Sequence, residues 1–147
     1  MDLQEQLIRD EGVKLFVYDD ATGAPIVPGS HVIGHPTIGI GRALDVHGIS
    51  MVEALYLNGN DIQEVHNGLL DSLPWLASLD AVRFSALENM AFNLGVNGLL
   101  QFTETLAALK MGNYDMAAHL MLQSEWAKQV GNRAQRLSKQ IATGLWQ

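Results

Sequence analysis

Val13-Lys14-Leu15-Phe16-Val17-Tyr18 runs directly into Asp19-Asp20-Ala21-Thr22-Gly23. Within the first six residues Val13, Leu15 and Val17 alternate with Lys14, Phe16 and Tyr18, the period of a strand rather than a helix. Asp, Thr and Gly over 19–23 are turn chemistry. Pro25, Pro28, Gly29, Gly34 and Pro36 then punctuate the chain too densely for a helix. Ile26-Val27, His31-Val32-Ile33 and Thr37-Ile38-Gly39-Ile40-Gly41 remain as candidate short strands. Residues of about 13–44 therefore predict a small β-rich lobe.

On both sides of this lobe the pattern turns helical. Leu3, Leu7 and Ile8 have helical spacing and Gly12 follows Glu11 as a stop, so a short helix ends at Asp10–Glu11. Downstream, Ser50-Met51-Val52-Glu53 is a capping box. Ala54, Leu55, Ile62, Val65 and Leu69 continue its stripe, weakened at Gly59 by about 1 kcal/mol relative to Ala. Pro74 ends that unit. Further helices are predicted over 79–94 (Val82, Ala86, Leu87, Met90, Ala91, Leu94), 96–109 and 114–123, with Asn132 capping a last one over 133–143. No repeat or linker interrupts the chain. The expectation is one α+β domain over 1–147, its helical lobe comprising about 70–147 together with residues 1–12.

Composition excludes several functions. A chain of 147 residues, 48% apolar and 17% charged, is long and apolar enough to bury a core and is not disordered. Its apolar runs are too short to span a membrane. The acidic start, Met1-Asp2-Leu3-Gln4-Glu5, lacks the basic and apolar regions of a signal peptide, so synthesis in the cytoplasm is expected. Without cysteine, disulfides and thiolate chemistry are excluded. The net charge of −7 argues against nucleic acid as a partner. Between Ala127 and Gln147 stand Lys128, Arg133, Arg136 and Lys139 and no acid, which leaves −11 on the remainder. Arg133, Arg136 and Lys139 recur every third residue and share a helix face, either a solvated face or a functional one.

Most simple motifs fail. Gly39-Ile40-Gly41-Arg42-Ala43-Leu44 lacks the third glycine of a dinucleotide loop. His31, His35 and His47 lie in a Pro/Gly-rich segment without a metal-ligand helix, and no metal is expected. Ser30 is outside any nucleophile elbow. The methionines, Met90 and Met116 among them, read as packing residues. Two carboxylates are left. Glu11 is placed at a helix C-terminus, where the negative end of the dipole disfavours the charged form, a setting for a general acid. Asp20 lies nine residues on, in a turn. One carboxyl that protonates a leaving oxygen and another that activates water would perform glycoside hydrolysis. On the residues alone, an exposed helix-end glutamate and a turn aspartate are the favoured explanation.

The stretches Arg9-Asp10-Glu11-Gly12, Tyr18-Asp19-Asp20, Thr37-Ile38-Gly39-Ile40-Gly41, Ser78-Leu79-Asp80-Ala81-Val82-Arg83, Asn89-Met90-Ala91-Phe92-Asn93-Leu94-Gly95, Asn132-Arg133-Ala134-Gln135-Arg136 and Thr143-Gly144-Leu145-Trp146 occur in that order. Together the set resembles the phage-type lysozymes (endolysins) of glycoside hydrolase family 24. The resemblance implies a lysozyme-like α+β fold, with a long helix of about 50–70 joining the two lobes and an active-site cleft between them. It implies hydrolysis of the β-1,4 bond between N-acetylmuramic acid and N-acetylglucosamine in bacterial peptidoglycan, without a cofactor. Glu11 matches the family's general acid, Asp20 its second carboxylate and Thr37 the threonine that helps hold the attacking water. Phe92, Asn93 and Gln129 match substrate-binding positions. Arg133 and Arg136 match arginines that orient the acid and the aspartate before it, here Asp10.

A monomer without stable membrane insertion is expected, released to the periplasmic cell wall by a membrane-permeabilising holin. Lytic transglycosylase and a silent glycan-binding module are the rival readings. Two departures from the family are evident: a longer segment over 21–36, and an acidic rather than basic chain. Asp19 also adjoins Asp20, and strand alternation places the two on opposite sides.

Overall fold

The structure, a computed structural model, describes residues 2–147. They divide into two compact units, residues 2–55 and Tyr56–Gln147. Met1, the first residue of the segment expected over 1–12, lies outside the described residues.

The first unit opens with α1, Leu3–Glu11. Asp2 accepts the Glu5 N–H and Glu5 returns a carboxylate to the Asp2 N–H, both at 2.9 Å. Gly12, at φ 72°, ends the helix and leaves Glu11 as its last residue. Strand β1, Lys14–Asp19, pairs antiparallel with β2, Pro36–Gly39, which pairs with β3, Arg42–Ala43. Lys14 stands opposite Gly39, and Tyr18 opposite Thr37, with an irregularity between. A four-residue α2, Leu44–His47, follows. Then α3, Met51–Ser72, starts on the expected capping box: the Glu53 N–H reaches Ser50 Oγ at 3.2 Å and the Ser50 N–H reaches Glu53 Oε2 at 2.7 Å.

The short strands expected at 26–27 and 31–33 are absent; among the described residues this segment has a single bridge, Tyr18 to Pro25. The Ile26 N–H reaches the Val17 carbonyl at 3.0 Å, but other amides of the segment are engaged by side chains. Ser30 Oγ accepts the Val27 N–H at 3.0 Å, and the Asp19 carboxylate accepts those of Ile33 and Gly34 at 2.9 and 3.0 Å. Donors held this way cannot form a ladder.

The second unit is helical. After α3 come a 3₁₀ turn, Pro74–Ser78, and α4, Ala81–Leu94, whose N-cap is Asp80. The remaining helices are α5 (Val96–Leu100), α6 (Thr103–Lys110), α7 (Tyr114–Leu122), α8 (Glu125–Val130) and α9 (Asn132–Thr143). The single helix expected over 96–109 is therefore two. The Gln101 and Phe102 N–H groups bond three residues back, to Gly98 and Leu99, and the Phe102 ring meets Trp126 edge-on at 6.1 Å. Helix α8, capped by Ser124 on the Ala127 N–H at 3.1 Å, stands where the sequence pattern predicts no element. Asn132 is the first helical residue of α9, not its cap; Gly131 holds that position.

The core is one cluster in this unit, with Leu69, Leu76, Leu87, Met90, Leu99, Leu109, Met121 and Ile141 essentially inaccessible. Each such side chain contributes roughly 1.5–3 kcal/mol by burial. Met116, expected to pack, is instead exposed. Arg83 ties α4 to the end of α9, donating to the carbonyls of Ile141 (2.7 Å) and Ala142 (3.1 Å). Among the described residues no helix is long and apolar enough to cross a membrane.

Candidate active site

The adjacent aspartates at the end of β1 do different things. Asp19 is buried, 4% exposed, and its carboxylate accepts the N–H groups of Ala21 (3.0 Å), Ile33 (2.9 Å) and Gly34 (3.0 Å). The bond from Ile33 above all, opposed by burial and aided by the other amides, holds its carboxyl below the ordinary range. Asp19 thus staples the turn to the far end of the 21–36 segment.

Asp20 is exposed. Its Oδ1 accepts the His35 N–H at 2.6 Å, while its own N–H donates to the His35 carbonyl at 3.1 Å. Thr37, 3% exposed, donates its hydroxyl proton to that same carbonyl at 3.1 Å. One backbone oxygen therefore gathers Asp20 and Thr37. With its only proton committed, the Thr37 hydroxyl is left as an acceptor. Gly34 admits this arrangement: a Cβ there would come within 2.1 Å of Asp20 Oδ1 and 2.7 Å of the Ala21 nitrogen.

Glu11 projects from the end of α1 toward the turn between β2 and β3. A Cβ on Gly41 would stand 3.2 Å from Glu11 Oε2, so this glycine leaves room for the carboxylate. Asp10 pairs with Arg9, at 2.8 Å from Nε and 3.2 Å from Nη2.

The other expected site residues belong to the second unit. Asn93 Oδ1 accepts the indole N–H of the buried Trp126 at 2.8 Å. Arg133 donates through Nε to Asn89 Oδ1 and through Nη2 to the Asn89 carbonyl, both at 2.8 Å. Phe92, Asn89, Arg133, Ile62, Glu88 and Trp146 line a cavity of about 400 Å³. Gln129 and Arg136 are exposed and outside it.

The sequence offers His35 only as a metal-ligand candidate. Its ring instead bonds Asp45 in α2, Nδ1 to Oδ2, at 2.9 Å. Among the described residues no three His, Cys, Asp or Glu side chains group as a metal site would require. Asn89 and Gly34 were also missed, because their partners lie 44 residues away in one case and across an irregular loop in the other.

A helix ending in a glutamate, a small antiparallel sheet holding an aspartate beside a threonine, and a helical second unit make up the α+β fold of the lysozyme-like proteins. Within that class the chain belongs to the phage lysozyme family, whose model matches residues 9–142. It is similar to the pre-baseplate central spike protein Gp5 of Enterobacteria phage T4, at 30% identity over 98% of this chain and 28% of that protein. It is also similar to probable T4-type lysozyme 1 of Dictyostelium discoideum, at 29% identity over 97% of this chain and 94% of that protein. The chain thus spans little more than a quarter of the first relative and nearly all of the second.

Proposed function

We propose that this chain is a lysozyme-type peptidoglycan hydrolase. It cleaves the β-1,4 bond between N-acetylmuramic acid and N-acetylglucosamine with inversion, using Glu11 as general acid and Asp20 as the base that activates water. Family membership supports the hydrolase reading. The observation that carries the finer one is the His35 carbonyl shared by the Asp20 N–H and the Thr37 hydroxyl. A water between these side chains donates one hydrogen bond to the Asp20 carboxylate and one to Thr37 Oγ1, whose own proton is on the His35 carbonyl; Asp20 takes one proton as the water attacks, and the other stays on the attacking oxygen. Its lone pair is then left for the anomeric carbon. Glu11 protonates the leaving oxygen from the opposite face, and inverting pairs stand roughly 6.5–9.5 Å apart to admit the water. Side chains and water suffice for this chemistry.

Product analysis tests it. Mass spectrometry of digested cell-wall glycan is expected to show reducing-end muramic acid, and proton NMR an inverted first anomer. Asp20→Asn is expected to abolish turnover, with Thr37→Ser milder than Thr37→Val because it keeps the hydroxyl acceptor. Anhydromuramyl ends would mean a transglycosylase; a retained anomer would mean covalent attack. Either removes Asp20 as base, whereas binding without cleavage by the unmodified protein means a silent module.

The acid-orienting role of Arg133, Arg136 and Asp10 and the glycan contacts of Phe92, Asn93 and Gln129 rest on the resemblance. Arg133→Ala is expected to lower wall lysis with little loss of stability, since partly exposed charge contacts contribute little to folding. An equal loss in Lys139→Ala would mean that overall positive charge, not orientation, is what matters.

A further inference from the structure

We propose that His35 is a positioning residue for the reaction, and that its side-chain bond to Asp45 clamps the segment holding Asp20 and Thr37 to helix α2. The proposal rests on the reading of Asp20 and Thr37 given above. His35 is bonded on three sides. Its N–H meets Asp20 Oδ1 at 2.6 Å, its carbonyl accepts from the Asp20 N–H and Thr37 Oγ1, and its ring meets Asp45 Oδ2 at 2.9 Å. The backbone contacts set where Asp20 and Thr37 sit relative to His35. The ring contact sets where His35 sits relative to α2, which follows β3 without a break. Pro36 already restricts His35 to extended backbone. What the ring adds is restraint on the remaining displacement, and misplacing a reacting group by about 1 Å can lower a rate by up to 10²-fold. His35 closes the 21–36 segment and Asp45 stands ten residues further on in α2, so the bond ties the end of that segment to a helix.

Two negative groups act on the ring, Asp45 from α2 and Asp20 from the turn after β1. The hydrogen bond to Asp45, then its charge, raise the imidazole above its ordinary range, while the same bond lowers the Asp45 carboxyl. The charged clamp is therefore complete between the ordinary carboxylate and imidazole ranges, about pH 4 to 6.5. It weakens as pH rises through the raised value of His35 or falls through the lowered value of Asp45. Both side chains are about half exposed, so salt weakens it too.

The experiment measures kcat and KM on soluble glycan strands from pH 5 to 9 for the full chain, His35→Ala, His35→Asn and Asp20→Asn. For His35→Ala, kcat is expected to fall about tenfold with KM within twofold of the parent. His35→Asn places an amide nitrogen near the position of Nδ1 and donates to Asp45 without titrating. It should recover most of kcat at neutral pH and lose the part of the alkaline decline that the imidazole causes. Unchanged kcat in His35→Ala, with Asp20→Asn inactive, overturns the clamp and leaves the reaction scheme standing. An active Asp20→Asn overturns the scheme itself. Should circular dichroism show His35→Ala unfolded, the alkaline limb of His35→Asn decides, and a limb identical to the parent's overturns the proposal.

Discussion

Replacing Glu11 by Gln is expected to lower wall lysis by about 10²-fold or more, while the protein folds as before and still binds cell walls. The substitution keeps the side chain's size and both polar positions but removes the proton that would pass to the leaving oxygen. The fold has little to lose at this position. Glu11 is the exposed last residue of α1, after which Gly12 turns the chain away. The helix is secured at its other end by the reciprocal bonds of Asp2 and Glu5. Removing a negative charge from a helix C-terminus is worth a few tenths of a kcal/mol in favour of the folded state. The amide also fits against Gly41 as the carboxylate does, since its shape is the same. Turbidity loss of purified walls and a melting curve on the same preparation check both halves of the expectation. Near-normal lysis would remove Glu11 as the acid. Lost lysis with a large fall in melting temperature would mean that the residue had been a structural one.

Where the chain's local chemistry agrees with its tertiary setting, the sequence was legible. Gly12 after Glu11 predicts the end of α1 and so places Glu11, the proposed acid, as its last residue. Ser50 and Glu53 predict the start of α3, because a capping box satisfies its own donors within four residues. Alternation along β1 separates Asp19 from Asp20, and the structure has the first buried and the second exposed. What escaped reading depends on distant partners. The apolar pattern over 96–109 is continuous, yet the helix breaks where Phe102 turns to meet Trp126, a contact spacing alone cannot reveal. Apolar runs at 26–27 and 31–33 resembled strands because nothing local shows that Asp19 will take the amides of Ile33 and Gly34. The same holds for the Asn89–Arg133 contact and for the tie between His35 and Asp45.

Gly34→Ala is expected to remove turnover as thoroughly as Asp20→Asn does, although a methyl group changes no charge and no titratable group. Gly34 is not among the positive-φ glycines, so alanine meets no backbone strain there and the obstacle is space alone. Its Cβ would stand 2.1 Å from Asp20 Oδ1, 2.7 Å from the Ala21 Cβ and 2.7 Å from the Ala21 nitrogen. The carboxylate alone could rotate aside, but the Ala21 backbone, held by the Asp19 carboxylate at 3.0 Å, cannot yield as easily. Either the Asp20 carboxylate swings away from the His35 N–H, or the loop lifts and takes the Gly34 and His35 amides from Asp19 and Asp20. Both movements displace the proposed base. Overpacking of this kind destabilises by roughly 1–3 kcal/mol, so the variant should still fold and allow kcat to be measured. Gly29→Ala is the control. Gly29 sits at φ 88° with no atom near its missing Cβ, so alanine there meets strain but no collision. It is expected to lower the melting temperature while leaving kcat near the parent value. Comparing kcat and melting temperature for the two variants separates the effects. Parent-like kcat in Gly34→Ala would mean that catalysis does not need Asp20 where His35 holds it, and the base would have to be sought elsewhere.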